Sequence, residues 1–434
     1  MRLMHAFRAL RSRNYRLYFF GQAVSMMGTW MTTIATSWLV YRLTHSAVLL
    51  GIVGFASQIP AFVLAPVAGV LADRWNRQRV LMATQVLAML QSLALAGLAL
   101  GGLITVGQII LLSAAQGLIN AFDIPSRQAF VVDLVEDPHD VGNAIALNSS
   151  IFNGARLVGP SIAGLIIAAA GEGVCFLVDG ISYLAVLAAL AAMRLRPGSP
   201  PRGHQPLFRQ LREGLVYAYR SAPIRAILLL TALVSLVGMP YAVLMPVFAQ
   251  EILGGGPHTF GFLMAASGLG ALAGALSLAV RKSVLGLGRI IPMTAGLFGA
   301  GLIALSLSRV LWLSLAAMLA VGFGMLVQIA SGNTILQTVV DEDKRGRVMS
   351  LFAASFMGMA PFGSLLAGGL ASRIGAPRTL FLGGLACLAG AALFARELPR
   401  LRRAMRPIYV KKGILPEVAA GLQTAVTLTV TPEG

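Results

Sequence analysis

The chain has 434 residues, 57% of them hydrophobic and 12% charged, about half the roughly 25% charged content of a soluble domain. Its mean hydropathy is +0.79, and apolar runs near or above the ~18–20 residues that cross a bilayer recur along the whole length, which excludes an ordinary soluble enzyme. The net charge of +18 sits in short connections between those runs, a pattern of membrane topology and not of nucleic-acid binding.

Hydropathy predicts an all-α polytopic membrane protein with twelve transmembrane helices, over residues 17–40, 48–72, 80–101, 104–124, 143–169, 174–193, 224–249, 259–280, 288–308, 311–334, 347–371 and 379–395. No period-2 alternation supports a barrel, and helices are the other structure that satisfies its own backbone in lipid. The first run is longer than the roughly 7–15 residues of a signal-peptide core and reads as a retained helix. If every run spans, the basic clusters at 2–16, 74–79, 127, 194–225, 281–289, 344–347 and 396–412 fall on one side. Of the 34 lysines and arginines, only Arg42, Arg309, Arg373 and Arg378 fall on the other, and Arg156 lies inside a helix. The positive-inside rule then predicts a bacterial inner-membrane protein with both termini in the cytoplasm. Cys175 and Cys387 each sit in an apolar run and read as buried thiols.

Taken in order, the first helix carries Gln22, Ser25 and Trp30, and the second carries Gln58. The turn after it, Gly69-Val-Leu-Ala-Asp73-Arg74-Trp-Asn-Arg77-Gln-Arg79, sets one acid beside three arginines. Topology needs the arginines but not Asp73. The fourth helix holds Gln116 and Asn120 and ends beside Asp123 and Arg127. The fifth holds Asn148, Arg156 and the run Gly159-Pro160-Ser-Ile-Ala-Gly164, where Gly-Pro weakens the ladder and permits a kink. Asp179 lies towards the outer end of the sixth, and Gln328 and Asn333 lie in the tenth. Ionisable groups inside a bilayer cost about 2.5–3.5 kcal/mol, so Asp123, Arg156 and Asp179 are candidates for coupling, with Arg127 beside them. Two readings of Asp123 stand side by side: a local pair with Arg127, and an electrostatic unit with Arg156 that links substrate to proton. The five histidines are scattered without metal-ligand spacing, and there is no phosphate-binding loop, so neither a metal nor ATP is expected.

The chain divides into a first six-helix bundle over 1–196, a cytoplasmic connector over 197–222, a second six-helix bundle over 223–395 and a basic cytoplasmic tail over 396–434. An internal repeat supports the division. Asp137, Gly142, Leu147, Phe152, Gly154, Gly159 and Gly164 match Asp341, Gly346, Leu351, Phe356, Gly358, Gly363 and Gly368 at one constant spacing. Two parallel repeats with a site between them make a transporter architecture.

The Gly69 to Arg79 turn resembles the signature loop of the major facilitator superfamily, with Asn76 where glycine is usual. The run around Gly159 and Pro160 resembles that superfamily's exporter-associated helix-five motif, with Ala155 and Ala163 where glycines are usual. Asn14-Tyr-Arg-Leu-Tyr-Phe-Phe-Gly-Gln22, Gly28-Thr-Trp30, Trp38-Leu-Val-Tyr-Arg42 and Ala121-Phe-Asp123-Ile-Pro125-Ser-Arg127 are similar to the twelve-helix drug:proton antiporter branch that includes enterobactin exporters. The resemblance covers roughly residues 7 to 395. It implies the major facilitator fold and secondary active export of an amphipathic small molecule, such as a drug or siderophore. The exporter is expected to be a monomer in the lipid bilayer, with no cofactor and with the proton gradient as energy source. A conformational latch is implied at Gly69, Asp73, Arg74, Arg77 and Arg79, with Asp73 facing the start of the eleventh helix. The family's cavity-lining helices place Gln22, Ser25, Trp30, Gln58, Gln116, Asn120, Asn148, Gln328 and Asn333 as cavity candidates. Ser113 stands where antiporters often carry an arginine ahead of Gln116-Gly117. Two other functions remain open: translocation of lysophospholipid or another lipid by the same fold, and a non-transporting membrane scaffold or sensor. The repeat and the signature loop weigh against the scaffold.

Overall fold

The structure, a computed structural model, describes residues 7–135, 137–193, 207–281, 283–412 and 414; of residues 65–67, 69–74, 138 and 207–212 it describes the backbone only. Twelve long helices follow one another: α1 Arg13–Thr44, α2 Ala47–Arg74, α3 Arg77–Leu100, α4 Val106–Asp133, α5 Val141–Ala170, α6 Glu172–Ala192, α7 Ala222–Ile252, α8 Pro257–Ala279, α9 Leu287–Leu307, α10 Leu311–Val339, α11 Glu342–Ile374 and α12 Ala376–Lys411. A connector helix, Leu207–Arg220, lies between α6 and α7. There is no strand among the described residues. Eleven of the helices are long and apolar enough to cross a membrane. The other, α1, runs for 32 residues, and polar positions such as Gln22 and Ser25 lower its hydropathy. It buries both of them and packs against α5 and α6.

Two predicted ends fell well short of the observed ones. The fourth helix does not stop before Pro125 but continues to Asp133. Proline removes one backbone donor, yet Ser126, Phe130 and Val131 beyond it are buried, and Phe130 meets the Tyr18 ring edge-on at 6.1 Å. The stretch expected to be tail from 396 continues α12 as far as Lys411, because Leu401, Met405 and Tyr409 recur at helical spacing and are buried. Lys412 Nζ then donates to the Thr338 carbonyl at 2.7 Å, a cation at the C-terminal end of α10. The connector residues 197–206 and the tail residues 415–434 lie outside the described residues.

Within the first half α1 packs on α5 and α6, α3 on α4 and α6, and α2 on α4; within the second α9 packs on α10 and α12, and α8 on α10. The halves meet along α5 and α8 and along α2 and α11. The repeated glycines explain the equivalence. A Cβ at Gly159 would lie 2.8 Å from Trp30 Cβ on α1, and one at Gly164 would lie 2.7 Å from the Pro257 carbonyl on α8. Their partners in the repeat do the same work: Gly363 admits the Leu236 carbonyl of α7, and a Cβ at Gly368 would lie 2.6 Å from the Ala47 carbonyl of α2. Each six-helix half also turns into its last helix on a glycine of positive φ, Gly171 at 84° and Gly375 at 88°.

The halves are joined at one end, where Tyr41 Oη donates to a Glu251 carboxylate oxygen and the rings of Trp38 and Phe260 stack at 6.3 Å. Towards the end that carries the first and last described residues, Ile145, Ser149 and Phe152 of α5 and Thr334 and Gln337 of α10 are exposed. The result is a cleft shut at the Tyr41 end and open at the other.

Candidate transport site

Asp123 is 3% exposed. Its Oδ1 accepts from Thr84 Oγ1 at 3.0 Å and from Gln85 Nε2 at 2.8 Å, both on α3. Its Oδ2 accepts from Arg127 Nη2, one turn on across Pro125. Of the two sequence readings the local pair is the one formed; Asp123 is not paired with Arg156. The reason is helix geometry, since residues four apart on one face meet without any tertiary requirement. The pair borders a polar pocket with Gln22, Ser25 and Thr29 of α1, Gln116 and Asn120 of α4 and Tyr183 of α6. Gln116 Nε2 donates to Asn120 Oδ1 at 3.1 Å, while Arg127 Nε, Gln85 Oε1 and Gln116 Oε1 have no hydrogen-bond partner. A polar ligand in this pocket meets both donors and acceptors.

Asp179 stands behind the pocket and is 2% exposed. Its Oδ2 accepts from Thr32 Oγ1 of α1 at 2.8 Å and from Ser92 Oγ of α3 at 2.9 Å, so one carboxylate ties three helices. Its Oδ1 has no hydrogen-bond partner, and no described Lys or Arg forms an ion pair with it. Gly28 makes room for it, because a Cβ there would lie 2.5 Å from Asp179 Oδ1. Tyr183, one turn on, brings its hydroxyl to 3.5 Å from Thr29 Oγ1, and both residues line the pocket.

Arg156 sits halfway along α5 and half-buried. Its Cζ is 5.9 Å from the Trp30 ring centroid, and its Nη2 is 4.0 Å from Met325 Sδ of α10. The Trp30 ring in turn meets Phe152 edge-on at 5.7 Å. A cation–π contact contributes about 0.5–2 kcal/mol, which offsets only part of the roughly 2.5–3.5 kcal/mol that a charge costs at mid-depth.

The latch is described in part. Gly69, Asp73 and Arg74 lie where only the backbone is described. Arg77 Nη1 pairs with Asp133 Oδ2 at 2.7 Å, tying the start of α3 to the end of α4. Asn76 caps α3, its Oδ1 accepting from Arg79 N at 3.1 Å, which gives the departure from glycine a local purpose. The start of α11, where Asp73 was expected, is held by the connector helix: Arg347 pairs with Glu213 at 2.7 Å, and Tyr217 Oη donates to Asp341 Oδ2 at 3.0 Å. Burial raises the Tyr217 hydroxyl above its ordinary pKa and keeps it a donor.

The remaining cavity candidates scatter. Gln58 Nε2 bonds to the Gly54 carbonyl of its own helix at 3.0 Å. Gln328 is buried inside the second half and reaches Thr231 Oγ1 at 3.4 Å. Asn333 Oδ1 accepts from Gln337 at 2.7 Å on the open face of α10, and Asn148 is half-buried on α5. Gly159 and Gly164 serve close packing, and Pro160 is buried between them. The sequence reading missed Thr32, Thr84, Gln85, Ser92 and Tyr183. Gln85 and Ser92 were visible as polar breaks in an apolar run, on a helix outside the expected cavity wall.

The sequence model of the transmembrane secretion effector family matches residues 4–420. The chain is 27% identical over 375 residues to a staphyloferrin A transporter of Staphylococcus aureus, covering 86% of this chain and 93% of that one. It is 28% identical over 397 residues to the multidrug efflux pump Tap of Mycolicibacterium fortuitum, covering 89% and 96%. A solved bacterial homologue of the human lysosomal transporter Spinster, inward-facing and unoccupied, shares the fold at a TM-score of 0.67 and 15% identity, over 92% of this chain and 98% of that one. Matched along nearly its whole length, the chain belongs to the transmembrane secretion effector family of the major facilitator superfamily, a family of membrane transporters and not of enzymes.

Proposed function

We propose that the protein is a proton-driven exporter, a secondary active antiporter that moves an amphipathic small molecule, a siderophore or drug, out of the cytoplasm. It works as a monomer in the bacterial inner membrane with both termini cytoplasmic, and the proton gradient supplies the energy. The observation that carries this reading is Asp179, a buried acid whose neighbours are hydroxyls and not cations. A carboxylate is costly at that depth without a counter-charge, and a proton is the counter-charge that fits there. By the spacing of the repeat its equivalent in the second half is Gly383, so the proton site belongs to the first half alone. The substrate class is supported by the staphyloferrin A transporter and the efflux pump among the relatives, and the orientation by the segregation of basic residues. With that orientation, the cleft open at the end carrying the first and last described residues is the inward-open state of an alternating-access cycle.

Everted membrane vesicles containing the protein are expected to accumulate a labelled siderophore or fluorescent drug when their lumen is acidified, and a protonophore to abolish the uptake. Uptake indifferent to the pH gradient removes proton coupling. Vesicles that accumulate nothing from a panel of siderophores and drugs remove export.

A further inference from the structure

Arg156 marks the apex of the cleft. It is the sixteenth of the 30 residues of α5, about 22 Å by helix rise from either end. Below it on the same face, at helical spacing, come Phe152, Ser149 and Ile145, all exposed. Above it, α5 closes onto α8 through Gly164. The guanidinium therefore sits where the open cleft ends, touching Trp30 of the first half and Met325 of the second.

We propose that Arg156 is an anion-recognition site, which binds the carboxylate or phosphate group of an amphipathic substrate whose apolar body lies against Trp30, Phe152 and Met325. The proposal deepens the export reading and rests on it for the word substrate. Three features carry it. First, no acid among the described residues pairs with Arg156, whereas Asp123, the acid that borders the neighbouring pocket, is already paired with Arg127 and Asp179 is buried behind that pocket. The local field at the apex is therefore positive. Second, the two contacts Arg156 does make leave most of its five donors unused, since a thioether is a weak acceptor and a ring accepts little. A planar fork with free N–H groups is the geometry that recognises carboxylate and phosphate. Third, the surroundings are aromatic and thioether surface, which suits an apolar body attached to the anion and would not suit a small hydrophilic ion. A ligand held here touches both halves, so its binding bears directly on how they are disposed.

The test uses full-length protein in neutral detergent and two matched probes read by dansyl emission: a dansylated alkyl chain ending in carboxylate, and the same chain ending in trimethylammonium. The carboxylate probe is expected to bind about tenfold more tightly or better, the increment of a charge-assisted pair. Arg156→Gln should erase that preference and Arg156→Lys should keep most of it. Competition by lysophosphatidylglycerol and by a soluble alkyl carboxylate separates the sources: displacement mainly by the former assigns a lipid headgroup, and mainly by the latter a free carboxylate, both within the proposal. A wild-type preference for the ammonium probe overturns the proposal, as does an Arg156→Gln protein with its carboxylate preference intact. The wild-type comparison decides even where a variant fails to fold. Binding is read without any gradient, so a failure of proton coupling in vesicles and a failure of this site are told apart.

Discussion

Arg347, near the start of α11, and Glu213, on the connector helix, form an ion pair at 2.7 Å, and Gly214 beside it lets the two helices approach. The basic end of α11 is thus engaged by the connector while the cleft is open on this side. When the cleft shuts here, Asp73 is expected to take over that end of α11. Asp73→Asn should then hold the protein in the open form described and lower transport several-fold without unfolding it, and Glu213→Gln should shift the balance the other way. Spin labels at Trp75→Cys, which is exposed, and Gly346→Cys, which has open space around it, report the distance. Unchanged distances with normal transport remove Asp73 from the account.

Asp179→Asn and Asp123→Asn should fail differently. An asparagine at 179 still offers an oxygen to Thr32 and Ser92, so the fold should persist while gradient-driven uptake falls to the level seen with a protonophore. Asparagine at 123 leaves the half-buried Arg127 without its acid, a loss of at most the roughly 3–5 kcal/mol of a fully buried pair. Thermal melting in detergent should show a marked drop for Asp123→Asn, partly restored in Asp123→Asn/Arg127→Gln. Equal melting of all these proteins would mean the pair carries no stability.

Two glycines make a controlled comparison. A methyl at Gly322 of α10 would collide with the Ser267 carbonyl of α8, a backbone atom that cannot swing aside. Gly322→Ala should therefore force α8 and α10 apart, costing about 3 kcal/mol or more. Gly369 of α11 has nothing within 4 Å of its missing Cβ, and Gly369→Ala should gain about 0.5–1 kcal/mol from lost backbone freedom. Melting temperatures moving in the same direction for both would contradict the packing described.

The orientation is open to direct labelling. Single cysteines at 197–204 should react with a membrane-impermeant maleimide only in everted vesicles, and cysteines beside Arg42 and Arg309 only in intact cells. Reaction of the connector from the periplasmic side overturns the topology.

The helices and the repeat were legible because bilayer thickness imposes long apolar runs, and because the spacing between Gly159 and Gly363 is kept by every other matched position. The pairing of the charges was legible only as two open readings. The local one, Asp123 with Arg127 one turn on, is the one formed, and α3 supplies the rest of the acid's shell through Thr84 and Gln85. Asp179 could be seen as a charge in an apolar run, but not that Thr32 and Ser92 would reach it from two other helices. Such contacts depend on helix rotation, and hydropathy says nothing about rotation. The ends of α4 and α12 were misread for a related reason, since burial of Phe130 and of Tyr409 outweighs the local proline and charge signals that ordinarily stop a helix.

The length of α12 has a mechanical consequence. Its 36 residues make a rod of about 54 Å, against roughly 30 Å of hydrocarbon, and Lys412 moors its far end to α10. The overhang is therefore not a loose tail but a helix packed on the second half through Leu401, Met405 and Tyr409 and tied to it at its tip. Any rocking of that half is magnified at the tip, where a fluorophore near Lys411 would sweep a wider arc than one placed within the bilayer. A reporter domain fused before 412 would cut the mooring, whereas one fused after it would ride on an intact gauge.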